Sequence, residues 1–149
     1  MSAANGSAAK VQASPCTTPC WVPSELEAVD ACIAPGGVLR VVVSARNQTL
    51  EARELSLSAT GRDAARATGA PSSRLVDPMD HGQLCAVVRM PASAAPSTTL
   101  ELTVWVRGAV DHLIPVRVVA VEGACDVTAH RTVTDQVDTC HTWQDHFAV

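Results

Sequence analysis

The sequence predicts an all-β protein whose core is a sandwich of two packed sheets. Apolar and polar residues alternate in short runs between Gly36 and Val121, turn-forming residues separate the runs, and no long helical period lies between them. The chain has 149 residues, of which 47% are hydrophobic and 17% charged, enough for one buried interior. We therefore expect a single core with additional chain at both ends.

Each predicted strand rests on its own alternation. In Val38–Arg46, for example, every second residue from Leu39 to Ala45 is apolar and shares one face, and the β-branched content favours a strand. The predicted strands cover residues 25–33, 38–46, 54–60, a short stretch near 75, 83–90, 100–107 and 113–121. Residues 61–73 are expected to form a loop, and Pro115 indicates an edge in the last strand.

The first strand has a helical alternative. Ser24-Glu25-Leu26-Glu27 matches a helix capping box, and Leu26, Val29 and Ile33 could share a helical face. We favour an extended strand because the next strand starts at Val38, directly after Pro35-Gly36-Gly37.

Both ends of the chain read as extensions of the sandwich. Residues 1–24 form an arm containing Pro, Ser and Cys, in which three prolines between Ser14 and Pro23 exclude a helix or a central strand. Residues 25–121 form the sandwich, and residues 122–149 form a C-terminal extension. Within that extension the one-sided apolar residues Val127, Ala129 and Val133 predict an extra edge strand, long enough to cross the domain.

Charge and composition exclude several classes of partner. The net charge is −4, which disfavours a nucleic acid or an anionic membrane surface as partner. No apolar run approaches the roughly 20 residues of a membrane helix, so no membrane insertion is expected. Residues 1–11 do not resemble a secretory signal, so we expect a cytoplasmic protein, with export by an unreadable route left open.

Three segments resemble the immunoglobulin-like, fibronectin-type domains common in bacteria. They are Ile33–Asn47, Val87–Pro96 and Leu100–Gly108, in which strands are joined by Pro-Gly, Arg-Asn and small-residue turns. The resemblance implies an immunoglobulin-like Greek-key β-sandwich with N- and C-terminal extensions. Such domains mostly serve in adhesion, spacing or docking, and the Cys-Trp-Cys core of antibody domains is absent from this sequence.

A Greek-key order brings distant polar residues together. It places the loops with Asp80-His81 and Asp111-His112 at one end, where two carboxylates and two imidazoles could form a weak metal site, although Asp is also routine in turns. The start of the first strand lies at the same end. The opposite end receives Cys32 and Cys125, which are expected to be close and could form a disulfide in an oxidising compartment.

The cysteines and histidines of the two extensions form the most specific candidate site. Cys16 and Cys20 in the first arm, with Cys140, His141 and His146 in the tail, supply the thiolate and imidazole ligands that tetrahedral zinc prefers. A disulfide between the arms, or unrelated thiols, are the alternatives. Zinc is therefore the one cofactor that the sequence suggests.

The aromatic residues point to docking. Trp21, Trp143 and Phe147 lie in the two extensions, and the last two are four residues apart, so they could pin the tail to the sandwich or to a partner. No nucleophile elbow, phosphate loop or Ser-His-Asp pattern is present in the sequence.

We therefore expect a non-catalytic, protein-binding module that is an accessory or structural subunit of a larger assembly and docks through its arms. The alternatives are a small metalloprotein with a Cys/His-bound metal, zinc or a redox metal in electron transfer, and an exported module stapled by a Cys32–Cys125 disulfide.

Overall fold

The computed structural model of the protein describes residues 24–135, which form ten strands and one short 3-10 helix. The strands alternate between buried and exposed residues, and the two sheets bury their inward faces against each other. The elements are β1 (Ser24–Glu25), β2 (Val29–Ile33), β3 (Val38–Asn47), β4 (Arg53–Thr60), the 3-10 helix (Ala64–Arg66), β5 (Ala67–Gly69), β6 (Ser73–Val76), β7 (His81–Arg89), β8 (Thr99–Arg107), β9 (His112–Ala120) and β10 (Val127–Asp135).

The strands form the two sheets of an immunoglobulin-like β-sandwich. The first sheet has the order β1-β9-β8-β4-β6, and β2 also pairs with β9; the second has the order β10-β3-β7-β5. β1 and β2 run parallel to β9. The pairings of β3 with β7, of β8 with β9 and of β4 with β8 are antiparallel. The predicted all-β sandwich is thus confirmed.

The core consists of the apolar residues at alternating positions of both sheets. On β3 these are the fully buried Leu39, Val41, Val43 and Ala45, the face that the alternation in the sequence predicts. They pack against buried residues of the first sheet such as Ile33, Val104 and Ile114. Burial of these side chains supplies the main driving force for folding.

The first predicted strand is extended, as expected, but it is interrupted. β1 pairs with β9 at Glu25 and Leu113, and β2 resumes the pairing at Val29 and Val116. Pro115 therefore lies on β9 opposite this interruption. Because proline has no N–H to donate, it is accommodated where the neighbouring chain is unpaired. The edge position that Pro115 suggested is wrong for the strand as a whole, since β9 pairs with β8 on one side and with β1 and β2 on the other.

Arg131 of β10 binds the interrupted segment. Its Nε donates to the Glu27 carbonyl at 2.9 Å, and its second terminal nitrogen donates to the Ala28 carbonyl at 2.8 Å. These carbonyls lie between β1 and β2, where the chain does not pair with β9. The guanidinium therefore supplies the hydrogen-bond donors that a neighbouring strand would otherwise provide. The contact joins the edge of the second sheet to the edge of the first.

The extra strand predicted after Cys125 is present as β10. It pairs in parallel with β3 along its whole length, from Val127 beside Leu39 to Asp135 beside Asn47. Asp126, directly before β10, binds the start of β3: its Oδ1 accepts a hydrogen bond from the Val38 N–H at 2.9 Å. In the described part of the chain the sandwich therefore continues to Asp135, beyond residue 121.

The region between β4 and β7 differs from the prediction. Residues 61–73 contain the 3-10 helix and β5 in addition to loop, and β5 pairs with β7 on the side opposite β3. The strand near residue 75 exists as β6 but pairs with β4 in the first sheet. Asp63 fixes the preceding turn: its carboxylate accepts the Glu101 N–H and an Arg62 hydrogen bond, and these contacts lower its pKa.

Within residues 24–135 there is no helix with the length and apolar character needed to cross a membrane.

Candidate interaction site at the loop end

Three loops meet at one end of the sandwich, which we call the loop end: residues 48–52, 77–80 and 108–111. The Asn47 N–H donates to the Asp80 carbonyl at 2.9 Å, and the Gln48 N–H donates to the Asp135 carbonyl at 2.7 Å. The Val110 N–H donates to Oδ1 of Asp135 at 3.0 Å. These contacts agree with the Greek-key placement of the loops expected from the sequence.

Asn47 holds two of these loops together from the inside. Its side chain is 0% exposed, and its amide nitrogen donates to the carbonyls of Glu51 at 2.8 Å and Val76 at 2.9 Å, with a longer contact to Asp77. Its amide oxygen accepts both the N–H and the hydroxyl of Thr49. Buried polar groups that are fully paired rigidify their surroundings, so the loops are braced before any partner arrives.

Two further polar side chains face inward at the loop end. Asp135 is almost fully buried, and its Oδ2 has no hydrogen-bond partner among the described residues. His112 is buried as well, and neither of its ring nitrogens has a partner there. Both side chains place polar atoms at the edge of the apolar core. Their burial distinguishes them from the exposed carboxylates and imidazoles of the surface.

Large apolar side chains project from the same end into solvent. Leu50 in the first loop is 87% exposed, Met79 in the second is 66% exposed, and Leu75 on β6 is 67% exposed. Asn47 joins the backbones that carry them, since it bonds Glu51, Val76 and Asp77. We call Leu50, Leu75 and Met79 the apolar patch. Large exposed apolar side chains on chain segments that are bonded to one another are candidates for an interaction surface.

The four loop residues proposed from the sequence as a weak metal site do not converge on a common point. Asp80 and His81 are exposed and 3.6 Å apart, and Asp111 pairs with Arg107 at 3.0 Å. His112 points into the core instead. Within residues 24–135 no group of three or more His, Cys, Asp or Glu side chains is close enough to hold a metal ion, so the geometry lends this loop site no support.

Cys32 and Cys125 lie at the opposite end, as the Greek-key order requires. β2 ends beside the chain that follows β9, since the Val121 N–H donates to the Ile33 carbonyl at 2.9 Å. Both cysteines are exposed free thiols, and no disulfide joins them. A disulfide between them under oxidising conditions stays a prediction.

The remaining candidates lie outside the described residues. They are the metal ligands Cys16, Cys20, Cys140, His141 and His146, and the docking residues Trp21, Trp143 and Phe147. Their roles stay predictions.

Cys85 is the third thiol in the sandwich and differs from the other two. It lies on β7 and is half-buried, and this burial raises the pKa of its thiol, with a smaller opposing effect of Arg40. We therefore expect iodoacetamide to label Cys85 several times more slowly than Cys32 and Cys125, because less thiolate is present and access is poorer.

Peptide mass spectrometry after timed labelling measures the three rates separately. The same labelling in denaturant, where the three thiols should react alike, is the control. Equal rates for Cys85 and Cys125 in the folded protein would contradict the burial of Cys85.

Sequence reasoning missed the residues that define the loop end. The sequence pattern places Asn47 in a turn after the strand predicted over residues 38–46, and it gives no role to Leu50, Leu75 or Met79. One signal was available for Leu50, a large apolar residue directly after a polar turn and before Glu51. Isolated apolar residues on surfaces are common, however, so this signal is weak without the structure.

Comparisons with known proteins concern the fold. No protein-family model matches the chain, and no curated protein matches it significantly in sequence. Among solved structures it is similar to SSP-19, an MSP-domain protein like family member of Caenorhabditis elegans (18% identity, 60% of this chain and 94% of that chain, TM-score 0.40).

Two further solved structures are similar as well. The CupB2 chaperone of Pseudomonas aeruginosa shares 10% identity over 62% of this chain and 53% of that chain, with a TM-score of 0.46. The ASH / PapD-like domain of human CEP192 shares 12% identity over 78% of this chain and 97% of that chain, with a TM-score of 0.44. At these identities the likeness assigns no activity. The immunoglobulin-like architecture rests on the strand order itself, and a bacterial, fibronectin-type affiliation stays a prediction.

Proposed function

We propose that the protein is a non-catalytic, protein-binding module, an accessory or structural subunit of a larger assembly, and that it docks through the loop end. The observation that carries this proposal is the apolar patch: three large side chains at least 66% exposed, on chain segments that Asn47 bonds together. The patch provides the apolar centre that protein interfaces need, and the polar loops around it provide the rim.

The energetics favour a protein as the occupant. Covering one Leu or Met side chain that is now in water stabilises a complex by about 1.5–3 kcal/mol, and a few such residues usually dominate an interface. Because the loops are already fixed from inside by a fully buried Asn47, little chain entropy is lost on binding.

The test replaces Leu50 and Met79 with serine in the full chain. We expect the double variant to fold normally, because both side chains are exposed, and to lose capture of a partner from native-host extract. Val121→Ser is the matched control, since Val121 is 41% exposed at the opposite end of the sandwich.

Titration with the purified partner completes the test. Loss of at least about tenfold in affinity for the double variant, with the control unchanged, supports the proposal. Equal binding by the wild type and the double variant refutes docking through the loop end.

A second candidate function is metal binding through the two terminal segments. One observation favours it: the described chain begins and ends beside the same loop. The Ser24 N–H donates to the Asp111 carbonyl at 3.0 Å, and Asp135 accepts from Val110. Cys20 is four residues before Ser24 and Cys140 is five residues after Asp135, so chain length allows their thiolates to bind one zinc ion.

Elemental analysis of protein made without a tag tests the metal. Stoichiometric zinc that is lost in Cys140→Ser and retained in Cys85→Ser supports this second function. Metal-free wild-type protein, purified without chelators, refutes it.

A further inference from the structure

The second sheet has an outer face whose charge differs from that of the rest of the molecule. The side chains on this face come from alternate positions of β10, β3, β7 and β5, as the strand register fixes. They include three arginines and two histidines and no acidic residue. We call Arg40, Arg46, His81, Arg89 and His130, all of them exposed, the basic face.

The absence of acids on this face is a consequence of register. The outward residues are Thr128, His130, Thr132 and Thr134 on β10; Val38, Arg40, Val42, Ser44 and Arg46 on β3; His81, Gln83, Cys85, Val87 and Arg89 on β7; and Thr68 on β5. Carboxylates border the face in its connecting segments, at Asp80, 3.6 Å from the His81 ring, and at Asp126, which is bound to the Val38 N–H. The chain as a whole carries a net charge of −4, so a sheet face with three arginines and no carboxylate differs in sign from the overall charge of the protein.

The arginines of the basic face have no partner among the described residues. The ion pairs of arginine within residues 24–135 are Arg62–Asp63, Arg107–Asp111 and Arg117–Glu101, all outside this face. Arg40, Arg46 and Arg89 also donate no hydrogen bond to a described residue, in contrast to Arg131, which is bound to backbone carbonyls. Within this part of the chain, nothing competes with an external anion for their guanidinium groups.

The strand register sets the spacing of the basic residues on this face. Arg89 lies opposite Val38, so it is the diagonal neighbour of Arg40, and Arg46 lies opposite His81. One pair is thus near each end of β3, and the six residues from Arg40 to Arg46 separate the pairs by roughly 20 Å. Between them the face presents polar Ser44, Gln83 and Thr132, which can donate and accept hydrogen bonds.

We propose that the basic face binds an acidic, extended segment of a partner protein, with carboxylates at both ends of the segment. Carboxylates match guanidinium groups in geometry as well as charge. The three widely spaced arginines of this face and the negative net charge disfavour a nucleic acid or a membrane, both of which require dense positive charge. This surface is separate from the apolar patch and does not depend on it.

The probe is a fluorescein-labelled synthetic peptide of about nine residues, Ser/Thr-rich with paired glutamates at each end, long enough to span the roughly 20 Å between Arg40 and Arg46. Its anisotropy is measured with the full chain at low salt. The comparison peptide has glutamine in place of every glutamate. We expect binding of the glutamate peptide only, with weakening as salt rises.

Two arginine variants locate the binding. Arg40→Ala/Arg46→Ala is expected to weaken binding at least about fivefold, as for the loss of two exposed ion pairs. Arg66→Ala/Arg117→Ala removes the same charge elsewhere and is expected to leave binding within about twofold. All four side chains are exposed, and circular dichroism confirms that each variant is folded.

The outcomes separate this proposal from the proposed function. Loss in the first variant alone supports the basic face, whether or not Leu50→Ser/Met79→Ser abolishes capture of a partner at the loop end. Equal binding of the two peptides, equal losses in the two arginine variants, or tighter binding of duplex DNA or anionic vesicles than of the glutamate peptide overturns it.

Discussion

Replacing Asn47 with aspartate is expected to lower the free energy of unfolding by about 3 kcal/mol at neutral pH, although the two side chains have nearly the same shape. The amide nitrogen now donates to the Glu51 and Val76 carbonyls in a site that is 0% exposed. A carboxylate has no proton to donate, so its oxygen would face carbonyl oxygens. Each buried group left unpaired costs about 1–3 kcal/mol, and buried charge adds to this.

Urea unfolding followed by circular dichroism measures the loss. Gln48→Glu is the matched control: it makes the same amide-to-carboxylate change one residue away, where the side chain is exposed, and is expected to change stability by less than about 0.5 kcal/mol. Acidification should narrow the deficit of Asn47→Asp, since the protonated carboxyl regains one donor. Similar stabilities of the two variants would contradict the role of Asn47.

The long strands were predictable because one physical cause, burial of one face, sets both the sequence pattern and the structure. Apolar residues occupy every second position of β3 from Leu39 to Ala45, of β8 from Leu100 to Val106 and of β9 from Ile114 to Ala120, and these are the positions that the structure buries. β10 was predictable for the same reason from Val127, Ala129 and Val133, although only Val133 of these is fully buried. What the pattern cannot supply is the parallel pairing of β10 with β3, which is a property of topology.

The short strands were predicted only in part: the stretch expected near residue 75 is present as β6, whereas β5 was missed. β5 has the sequence Ala-Thr-Gly and contains no buried residue, so no alternation marks it. β6 has a single buried residue, Val76, and its pairing with β4 depends on the path of the chain after β5. Three- and four-residue strands take their place from neighbours, and local sequence carries little of that information.

The loop end was predictable in position but not in chemistry. Greek-key order was enough to bring the loops near Asp80 and Asp111 to one end. Asn47, in contrast, reads as an ordinary turn residue, since its bond to Val76 spans 29 positions of sequence. The exposure of Leu50 likewise depends on how the loop is braced. The sequence therefore predicts which end of the sandwich carries the candidate site. The structure replaces the Asp-His pairs with the apolar patch as the residues that form it.

The second large effect is expected at Gly108, in the loop between β8 and β9. An added Cβ would lie 2.7 Å from Oδ1 of Asp135 and 2.7 Å from Cδ2 of Leu55. Both neighbours are buried, so neither can move aside into solvent. We expect Gly108→Ala to reduce stability by about 2 kcal/mol, because overpacking a filled site forces side chains out of their preferred positions. Ala109→Ser, which also adds one heavy atom but at the next, exposed position, is the control and should be nearly neutral.

A double-mutant cycle identifies the cause of that loss. Asp135→Ala alone removes the acceptor of the Val110 N–H and is expected to cost about 1–3 kcal/mol. It also removes one of the two close approaches of the new Cβ, that to Oδ1 of Asp135, while the one to Leu55 remains. Gly108→Ala added to Asp135→Ala should therefore cost less than it does in the wild type. Residues in direct contact show such coupling, typically about 0.5–3 kcal/mol. Strict additivity, measured by urea unfolding of all four proteins, would mean that the Asp135 side chain does not lie against Gly108.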